Sequence, residues 1–254
     1  MGKNLRAGKA LPNDGGYASE AWYMQRRLER VNDIRRNAKR LYGKSVLLKQ
    51  IGDKEAELAA RKLLGVAASA FWNAEDTDLE VLAHEELDQY GKWVRSNFVC
   101  HLSFEGGTYY QTCPVAIAHK RMGLSIGFTA RVAICSICGE DMSECIHRAD
   151  RLYEVPGGAG PSGYCSVCGG SECQEHSPDE MFLVAPIRIV TEADLHEVSV
   201  VRKPAQPDAR ITKVPVDGNN LRSVLSPSFE VGDPVTCDRC LNACRGIEEI
   251  SSLM

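Results

Sequence analysis

The sequence predicts an α+β fold, in which a helical N-terminal region precedes a small β core that carries a double zinc-knuckle insertion. Apolar residues recur with helical periodicity through the first hundred positions, whereas short β-branched runs separated by Gly and Pro follow. Nine of the eleven cysteines fall into three short clusters. We expect a basic helical region at 1–98, a β core at 99–134 and 180–215, the zinc-knuckle insertion at 135–179, and a C-terminal cysteine cluster at 216–254.

The first predicted helix is amphipathic and basic. Ser19 is a candidate N-cap, and Gly43 is expected to end the helix. Apolar side chains recur at spacings of three, four and seven residues, at Met24, Leu28, Val31, Ala38 and Leu41. Residues 1–62 contain fifteen Lys and Arg against seven Asp and Glu, although the whole chain has a net charge of −4. This arm is expected either to contact an anionic or acidic partner or to be a solvated face.

Two further helices are predicted before residue 98. One runs from about Asp53 to Asn73, with an apolar face formed by Leu58, Leu63 and Leu64. The other starts at the cap formed by residues 76–78 and continues toward Trp93. Apolar stripes of this kind are typical of core or helix–helix contacts.

The predicted strands lie on both sides of the cysteine-rich segment. Residues 122–128 are predicted to form a turn into a strand, residues 182–190 one or two strands, and residues 196–201 a β-branched strand. Residues 203–208 form a Pro-bounded turn after the last of these. The double knuckle is therefore expected to be an insertion in a β core.

Two cysteine clusters have the spacing of structural zinc sites. The first comprises Cys135, Cys138, Cys145 and His147, and the second comprises Cys165, Cys168, Cys173 and His176. Two residues between cysteines allow both thiolates to reach one ion, and the Gly after each pair gives the turn its backbone freedom. Each cluster can close its own Cys3His site. Alternatively, the two Cys-x-x-Cys pairs share one ion and the other four ligands share a second.

The third cluster, Cys237, Cys240 and Cys244, needs a fourth ligand from elsewhere in the chain. Cys113 is the preferred candidate, and Cys100, His101 and His119 are the alternatives. The sequence thus predicts two or three zinc ions. Sulfur-rich four-ligand sets are closed, so these sites are expected to be structural, with the third cluster as the one plausible exception. No His-Glu-x-x-His pattern is present.

The cysteine usage also predicts a reducing compartment. The N-terminus has no apolar signal segment, and no stretch approaches the roughly 18 apolar residues of a membrane span. In a reducing cytosol, clustered cysteines are more often metal ligands or redox groups than disulfides. A cytoplasmic protein without membrane contact is therefore expected.

Two segments resemble the tailed-phage prohead (head-maturation) proteases. These are Leu124-Ser-Ile-Gly-Phe128 and the region from Ile189 to Ile211, which contains Glu197-Val-Ser-Val-Val-Arg-Lys-Pro-Ala-Gln-Pro. The resemblance covers roughly forty residues. It implies a β-barrel core with Ser125 as nucleophile and an upstream His as general base, for which His84 has about the right order and spacing. His101 and His119 are the other options.

The resemblance and the zinc clusters leave three functions open. The favoured hypothesis is a zinc-stabilised structural or interaction component of phage or prophage particle assembly, which implies protein partners and permits an oligomer. The second is an active serine endopeptidase of head maturation that uses Ser125 and His84, so whether the chain is an enzyme stays open. The third is a nucleic-acid-binding module that acts through residues 19–62. The knuckle segment is unsuited to phosphate contact, because its acidic residues outnumber its two basic residues, Arg148 and Arg151.

Overall fold

The computed structural model describes residues 18–120, 122–225 and 228–241. Its elements are α1 (Glu20–Gln50), α2 (Ala56–Ala74), α3 (Glu80–Asn97), β1 (Ser103–Glu105), β2 (Thr108–Gln111), α4 (Pro114–Ala118), β3 (Gly123–Cys135), β4 (Tyr153–Pro156), β5 (Met181–Val184), β6 (Arg188–Val201), β7 (Val214–Val216), α5 (Gly218–Val224) and a 3₁₀ helix, η1 (Arg239–Leu241). Helices and small sheets together confirm the α+β class. None of the helices in these ranges is both long and apolar enough to span a bilayer.

The chain divides into two compact units. Of the described residues, the first unit, called here the knuckle unit, includes 18–26 and 126–197. The second, called here the helical unit, comprises 27–120, 122–125, 198–225 and 228–241. Strands β3 and β6 each contain a boundary between the two units. These boundaries differ from those of the four regions expected from the sequence.

The helical unit has a continuous apolar core. Helix α2 is rich in Ala and Leu and packs against α3 and α4. The largest fully buried apolar side chains of this core are Leu63, Phe71, Leu87, Val31 and Val94. Leu63 and Leu64 were predicted correctly as core residues, but Leu58 is 72% exposed.

Helix α1 begins as predicted and ends later. The Ser19 hydroxyl accepts a hydrogen bond from the backbone N–H of Trp22 at 3.2 Å, as an N-cap does. The predicted end at Gly43 is wrong, because the helix continues to Gln50. Packing on either side of Gly43 explains this: the Tyr42 ring contacts Tyr90 with centroids 5.1 Å apart, and Ser45 is fully buried. These contacts outweigh the cost of about 1 kcal/mol for glycine within a helix.

The strands form three small sheets. Strands β1, β2 and β7 form an antiparallel sheet in the order β1-β2-β7, and β4 pairs with β5 in antiparallel register, with Tyr153 opposite Val184. Strands β3 and β6 form a two-stranded ribbon. They run antiparallel, since Thr129 hydrogen-bonds to His196 and Arg131 pairs with Asp194. This ribbon leads directly to the first cysteine of the knuckle unit, Cys135.

Candidate metal centres

The first knuckle is a tight turn at the end of β3. The N–H of Gly139 donates to the Cys135 carbonyl at 2.9 Å, and the N–H of Cys135 donates to the Glu140 carbonyl at 2.9 Å. Gly139 has a φ of 76°, a left-handed conformation that glycine adopts without steric cost. A Cβ atom at Gly139 would also lie 3.0 Å from the backbone nitrogen of Ser162. The turn therefore requires Gly at this position.

The second knuckle repeats these contacts. The N–H of Gly169 donates to the Cys165 carbonyl at 2.8 Å, and the N–H of Cys165 donates to the Gly170 carbonyl at 2.9 Å. Gly169 has a φ of 72°. Both turns hold their two cysteines at the spacing that the sequence predicted for metal ligands.

The structure brings the candidate ligands of each cluster together separately, as in the first of the two predicted pairings, where each cluster closes its own Cys3His site. The groups are Cys135, Cys138, Cys145 and His147, and Cys165, Cys168, Cys173 and His176. Within each group all four ligand atoms lie within 4.8 Å of one another. The cross-braced alternative would require ligands to be shared between the two groups.

The distances within each group fit a tetrahedral zinc ion. At the tetrahedral angle, zinc–sulfur bonds of about 2.3 Å and zinc–nitrogen bonds of about 2.0 Å separate two sulfurs by about 3.8 Å and a sulfur from a nitrogen by about 3.5 Å. In the first group, the Cys138 and Cys145 sulfurs are 3.5 Å apart, and His147 Nδ1 lies 3.4 Å from the Cys145 sulfur. In the second, His176 Nδ1 lies 3.6 Å from the Cys165 sulfur and 3.1 Å from the Cys173 sulfur. Each group can therefore hold a metal ion.

The paired strands β4 and β5 orient both histidines. The His147 ring contacts Tyr153 on β4 edge to face, with centroids 4.8 Å apart. The His176 ring contacts Phe182 on β5 in the same manner, with centroids 5.1 Å apart. In both cases Nδ1 faces the sulfurs. Ring packing of this kind fixes the direction of a ligating histidine.

The thiols of each group differ in their ease of ionisation. Burial raises the pKa of the Cys145 thiol to about 12 and that of the Cys168 thiol to about 11. Burial acts on Cys135 and Cys165 as well. For these two, hydrogen bonds from the backbone N–H groups two and three residues further along and from the neighbouring thiols together outweigh burial and hold the thiol pKa below its usual value. The first cysteine of each knuckle is therefore prepared to act as a thiolate ligand.

The serines between the paired cysteines connect the knuckles to the rest of the unit. Ser136 is fully buried; its N–H donates to the Ile187 carbonyl, and its Oγ accepts from the Ile187 N–H, both at 3.0 Å. The Ser162 hydroxyl donates to the Ser136 carbonyl at 3.2 Å. Ser166, the equivalent residue of the second knuckle, is 3% exposed. A Cβ atom at Gly160 would lie 2.4 Å from the Ser166 Oγ.

The two knuckles form an internal repeat that sequence reasoning missed. Four elements recur in the same order, each displaced by 28 to 30 residues: Cys-Ser-x-Cys-Gly, Ser-Glu-Cys, His and an aromatic residue. The turn contacts, the ligand sets and the aromatic contacts of the histidines repeat with them. The signal was present in the sequence, in the recurrence of Ser-Glu-Cys at 143–145 and 171–173. The repeat argues that the two groups have the same role.

The predicted third cluster is only partly described. Cys237 and Cys240 lie in the helical unit and pack against its apolar cluster, as does Cys113. Cys244 lies outside the described residues. Within those residues, only the two Cys3His groups bring three or more potential ligand atoms within 4.8 Å of one another.

The predicted catalytic residues are both in the helical unit. Ser125 is half-buried on β3, and His84 is 7% exposed on α3. His84 Nε2 lies 3.0 Å from His119 Nε2, and His119 Nδ1 lies 2.6 Å from the Val115 carbonyl. Because His119 Nδ1 must donate to that carbonyl, its Nε2 accepts and His84 Nε2 donates. Within the described residues no hydrogen bond joins Ser125 to His84, and the dyad stays a prediction.

No family model, curated protein or solved structure matches this chain. The functional assignment of the two Cys3His groups therefore depends on their ligand geometry and on the chemistry of their side chains.

Proposed function

We propose that this protein is a zinc-stabilised structural or interaction component of particle assembly, in which each Cys3His group holds one zinc ion. The observation that carries the proposal is the closed geometry of the two groups. Each supplies three sulfurs and one nitrogen at the separations of a tetrahedral ion. A group with four protein ligands has no open position for a water or a substrate, so the metal is structural.

The small apolar core of the knuckle unit supports a structural role for the metal. Among its described residues, the buried apolar side chains other than cysteine are few and small: Ala133, Val155, Val184, Ala185 and Pro186. Burial of so little apolar surface cannot order a unit of this length. Because a Cys3His site does not exist in the unfolded chain, zinc binding free energy becomes folding free energy.

The charges favour a protein partner over a nucleic acid. Several cations of α1 are already paired within the chain. Arg35 makes two hydrogen bonds to Glu86, at 2.8 and 2.9 Å, and Lys39 lies 3.1 Å from the same carboxylate. Arg36 pairs with Asp33. Paired cations contribute little to phosphate binding, which depends on the release of counterions by unneutralised Lys and Arg.

The β3–β6 ribbon supports the same partner class. Ile126 and Phe128 on β3 and Leu195 on β6 are exposed by 57%, 50% and 64%. Adjacent exposed apolar side chains of this size are typical of protein interaction sites. The assembly context itself is supported by the resemblance of residues 124–128 and 189–211 to the phage prohead proteases.

Cobalt substitution tests whether the metal sites are closed. Co²⁺ replaces zinc in a tetrahedral site and has visible absorption bands that respond to its ligands. We expect thiolate-to-cobalt charge transfer and tetrahedral d–d bands that do not change when azide or cyanide is added. A band shift on addition of these small ligands would show an open position and contradict the structural role.

Co-sedimentation tests the assembly role. The chain is expressed together with the proteins encoded by the genes that flank its own, and the particles are isolated by sedimentation. We expect the wild-type chain to sediment with them and the Phe128→Ser variant to be lost from them. Ile146→Ser is the matched control, because Ile146 is 82% exposed in the first knuckle and lies outside the ribbon. Equal behaviour of the two variants would exclude the ribbon as the interaction site, and absence of the wild-type chain from particles would contradict the assembly role.

A further inference from the structure

Four cysteines outside the two Cys3His groups converge in the helical unit. They are Cys100, Cys113, Cys237 and Cys240, and all four are free thiols. Cys100 and Cys240 are 8% and 7% exposed and belong to the apolar cluster, against which Cys113 and Cys237 pack. They come from three separate stretches of the chain. We propose that these four residues form a third zinc site with four thiolate ligands, in which Cys100 is the fourth ligand.

Cys100 and Cys237 are directly opposite each other on paired backbone segments. The N–H of Cys237 donates to the Cys100 carbonyl at 2.7 Å, and His101 forms an antiparallel bridge with Thr236. Residues opposite each other in an antiparallel pair point to the same face, with Cβ atoms about 4.5 to 5.5 Å apart. Two thiols in this relation can bind one ion.

The Gln111 side chain connects Cys113 to Cys237. Its Nε2 donates to the Cys237 sulfur at 3.4 Å, and its Oε1 accepts from the Cys113 backbone N–H at 3.0 Å. One amide side chain therefore contacts both cysteines. A donor aimed at a sulfur also stabilises thiolate, which is the form that binds metal.

Cys113 has the same backbone environment as the first cysteine of each knuckle. The backbone N–H groups of Val115 and Ala116 face its sulfur. These N–H groups are two and three residues further along, as they are for Cys135 and Cys165. A cysteine at the first turn of α4 thus reproduces a feature that both Cys3His groups share.

The last of the four proposed ligands, Cys240, lies in η1. The Cys237-x-x-Cys240 spacing matches that of the two knuckles. A Cβ atom at Gly91 would lie 3.3 Å from the Cys240 Cβ, so glycine lets η1 approach α3 closely.

Two guanidinium groups flank the cluster. Arg61 Nη1 donates to the Cys100 sulfur at 3.3 Å, and Arg95 Nε donates to the Cys237 carbonyl at 3.1 Å. Each guanidinium group is also paired with a carboxylate, Arg61 with Glu57 and Arg95 with Asp238, so its contribution to the cluster is a hydrogen bond and not an unneutralised charge.

The four sulfurs are more widely spaced than those of the Cys3His groups, within which all ligand atoms lie within 4.8 Å. Rotation of a cysteine from one χ1 rotamer to the next moves its sulfur by about 3 Å. Rotamer changes can therefore bring the sulfurs together around an ion. The site would tie the segment from Cys100 to Cys113 to the segment that contains η1.

Native mass spectrometry of the full-length chain tests the third site. We expect three zinc ions per wild-type chain and two in the Cys100→Ser and Cys113→Ser variants. Cys244→Ser is the matched control, since Cys244 belongs to the same C-terminal cluster but not to the proposed ligand set; it should retain three. Three ions in Cys100→Ser, or two in Cys244→Ser, would overturn the ligand assignment.

Alkylation of the wild-type chain provides a second measurement that does not require the variants to fold. Iodoacetamide modification is mapped by peptide mass spectrometry with and without a chelator. We expect all four members of the set to be protected until the chelator is added. Protection of Cys100 and Cys240 that persists with the chelator would show burial alone and would contradict a metal site.

The third site stands independently of the two Cys3His sites. A wild-type count of two, with one ion lost in each of Cys138→Ser and Cys168→Ser, would leave the proposed function intact and exclude the third site. A count of zero would contradict both. One ion that is lost only in Cys100→Ser would support the third site and contradict the proposed function.

Discussion

The helical unit and the knuckle unit are stabilised by different means. The helical unit buries a continuous set of apolar side chains that includes Leu63, Phe71 and Leu87. The largest fully buried residues of the knuckle unit are instead two metal-ligand cysteines, Cys135 and Cys165, and a serine. Apolar burial needs no ligand, whereas convergent thiolates repel one another without a cation. On the proposal that each Cys3His group holds a zinc ion, one unit is ordered by packing and the other by metal.

The largest effect is expected from removal of a ligand in a knuckle. Cys138→Ser or Cys168→Ser should cause insolubility or a large loss of thermal stability. Zinc contributes about 10 to 16 kcal/mol in structural sites, which exceeds the stability of most domains. Thermal melting with and without a chelator, followed by circular dichroism, measures the effect. Unchanged melting in the presence of the chelator would contradict the metal dependence.

Truncation in the helical core should produce the opposite pattern. Phe71 is 1% exposed and lies in the α2–α3 core, so Phe71→Ala should cost about 3 to 5 kcal/mol. Chemical denaturation measures this cost. The two zinc ions of the knuckle unit should remain bound, as counted by native mass spectrometry. Their loss in this variant would show that the two units do not depend on separate sources of stability.

The Arg35–Glu86 pair should make a smaller and pH-dependent contribution. Burial raises the pKa of the Glu86 carboxyl, but hydrogen bonds from Arg35 and Lys39 outweigh burial and hold that pKa below its usual value. A carboxyl with a lowered folded pKa stabilises the protein above the unfolded pKa of about 4.3, and this stabilisation is lost as the pH falls through the folded pKa. Glu86→Gln should therefore cost about 2 kcal/mol at neutral pH.

Urea denaturation of the wild type and Glu86→Gln at several pH values checks this prediction. The difference between the two chains should shrink as the pH falls below about 4.3. The exposed neighbour Glu85 provides the control, and Glu85→Gln should have little effect at any pH. A difference that stays constant with pH would contradict the pairing.

The smallest effect is expected at the knuckle turn. Gly139 and Gly163 have similar φ values of 76° and 78°, but only at Gly139 would a Cβ atom meet backbone, at 3.0 Å from Ser162. Both alanine variants carry the left-handed strain of about 1 to 2 kcal/mol. Gly139→Ala should in addition weaken zinc binding, as measured by competition with a chromogenic chelator. Equal zinc affinity in the two variants would contradict the required close approach.

The sequence predicted the grouping of the candidate metal ligands better than it predicted the end of α1 and the buried face of α2. The two Cys3His groups follow from local spacing, because a Cys-x-x-Cys-Gly turn closes within a few residues. The end of α1 was wrong because Tyr42 and Ser45 pack on either side of Gly43, and propensity carries no information about that packing. Leu58 matched the helical period yet is exposed, since periodicity defines a face but not its width.

The convergence of Cys100 with Cys237 was beyond sequence reasoning for a different physical reason. More than a hundred residues separate the two, and their pairing depends on how the segment after α3 meets the segment before η1. Local spacing cannot predict such a contact. The sequence offered Cys100 only as an alternative to Cys113 for the fourth ligand of the C-terminal cluster, and it did not place Cys100 opposite Cys237.

The most direct test of the account is the zinc count of the knuckle unit. Native mass spectrometry of the freshly purified chain is compared with Cys138→Ser and Cys168→Ser under the same conditions. The account predicts that the wild-type chain carries at least two zinc ions and that each variant carries one fewer. A wild-type chain without zinc, or variants with an unchanged count, would contradict it.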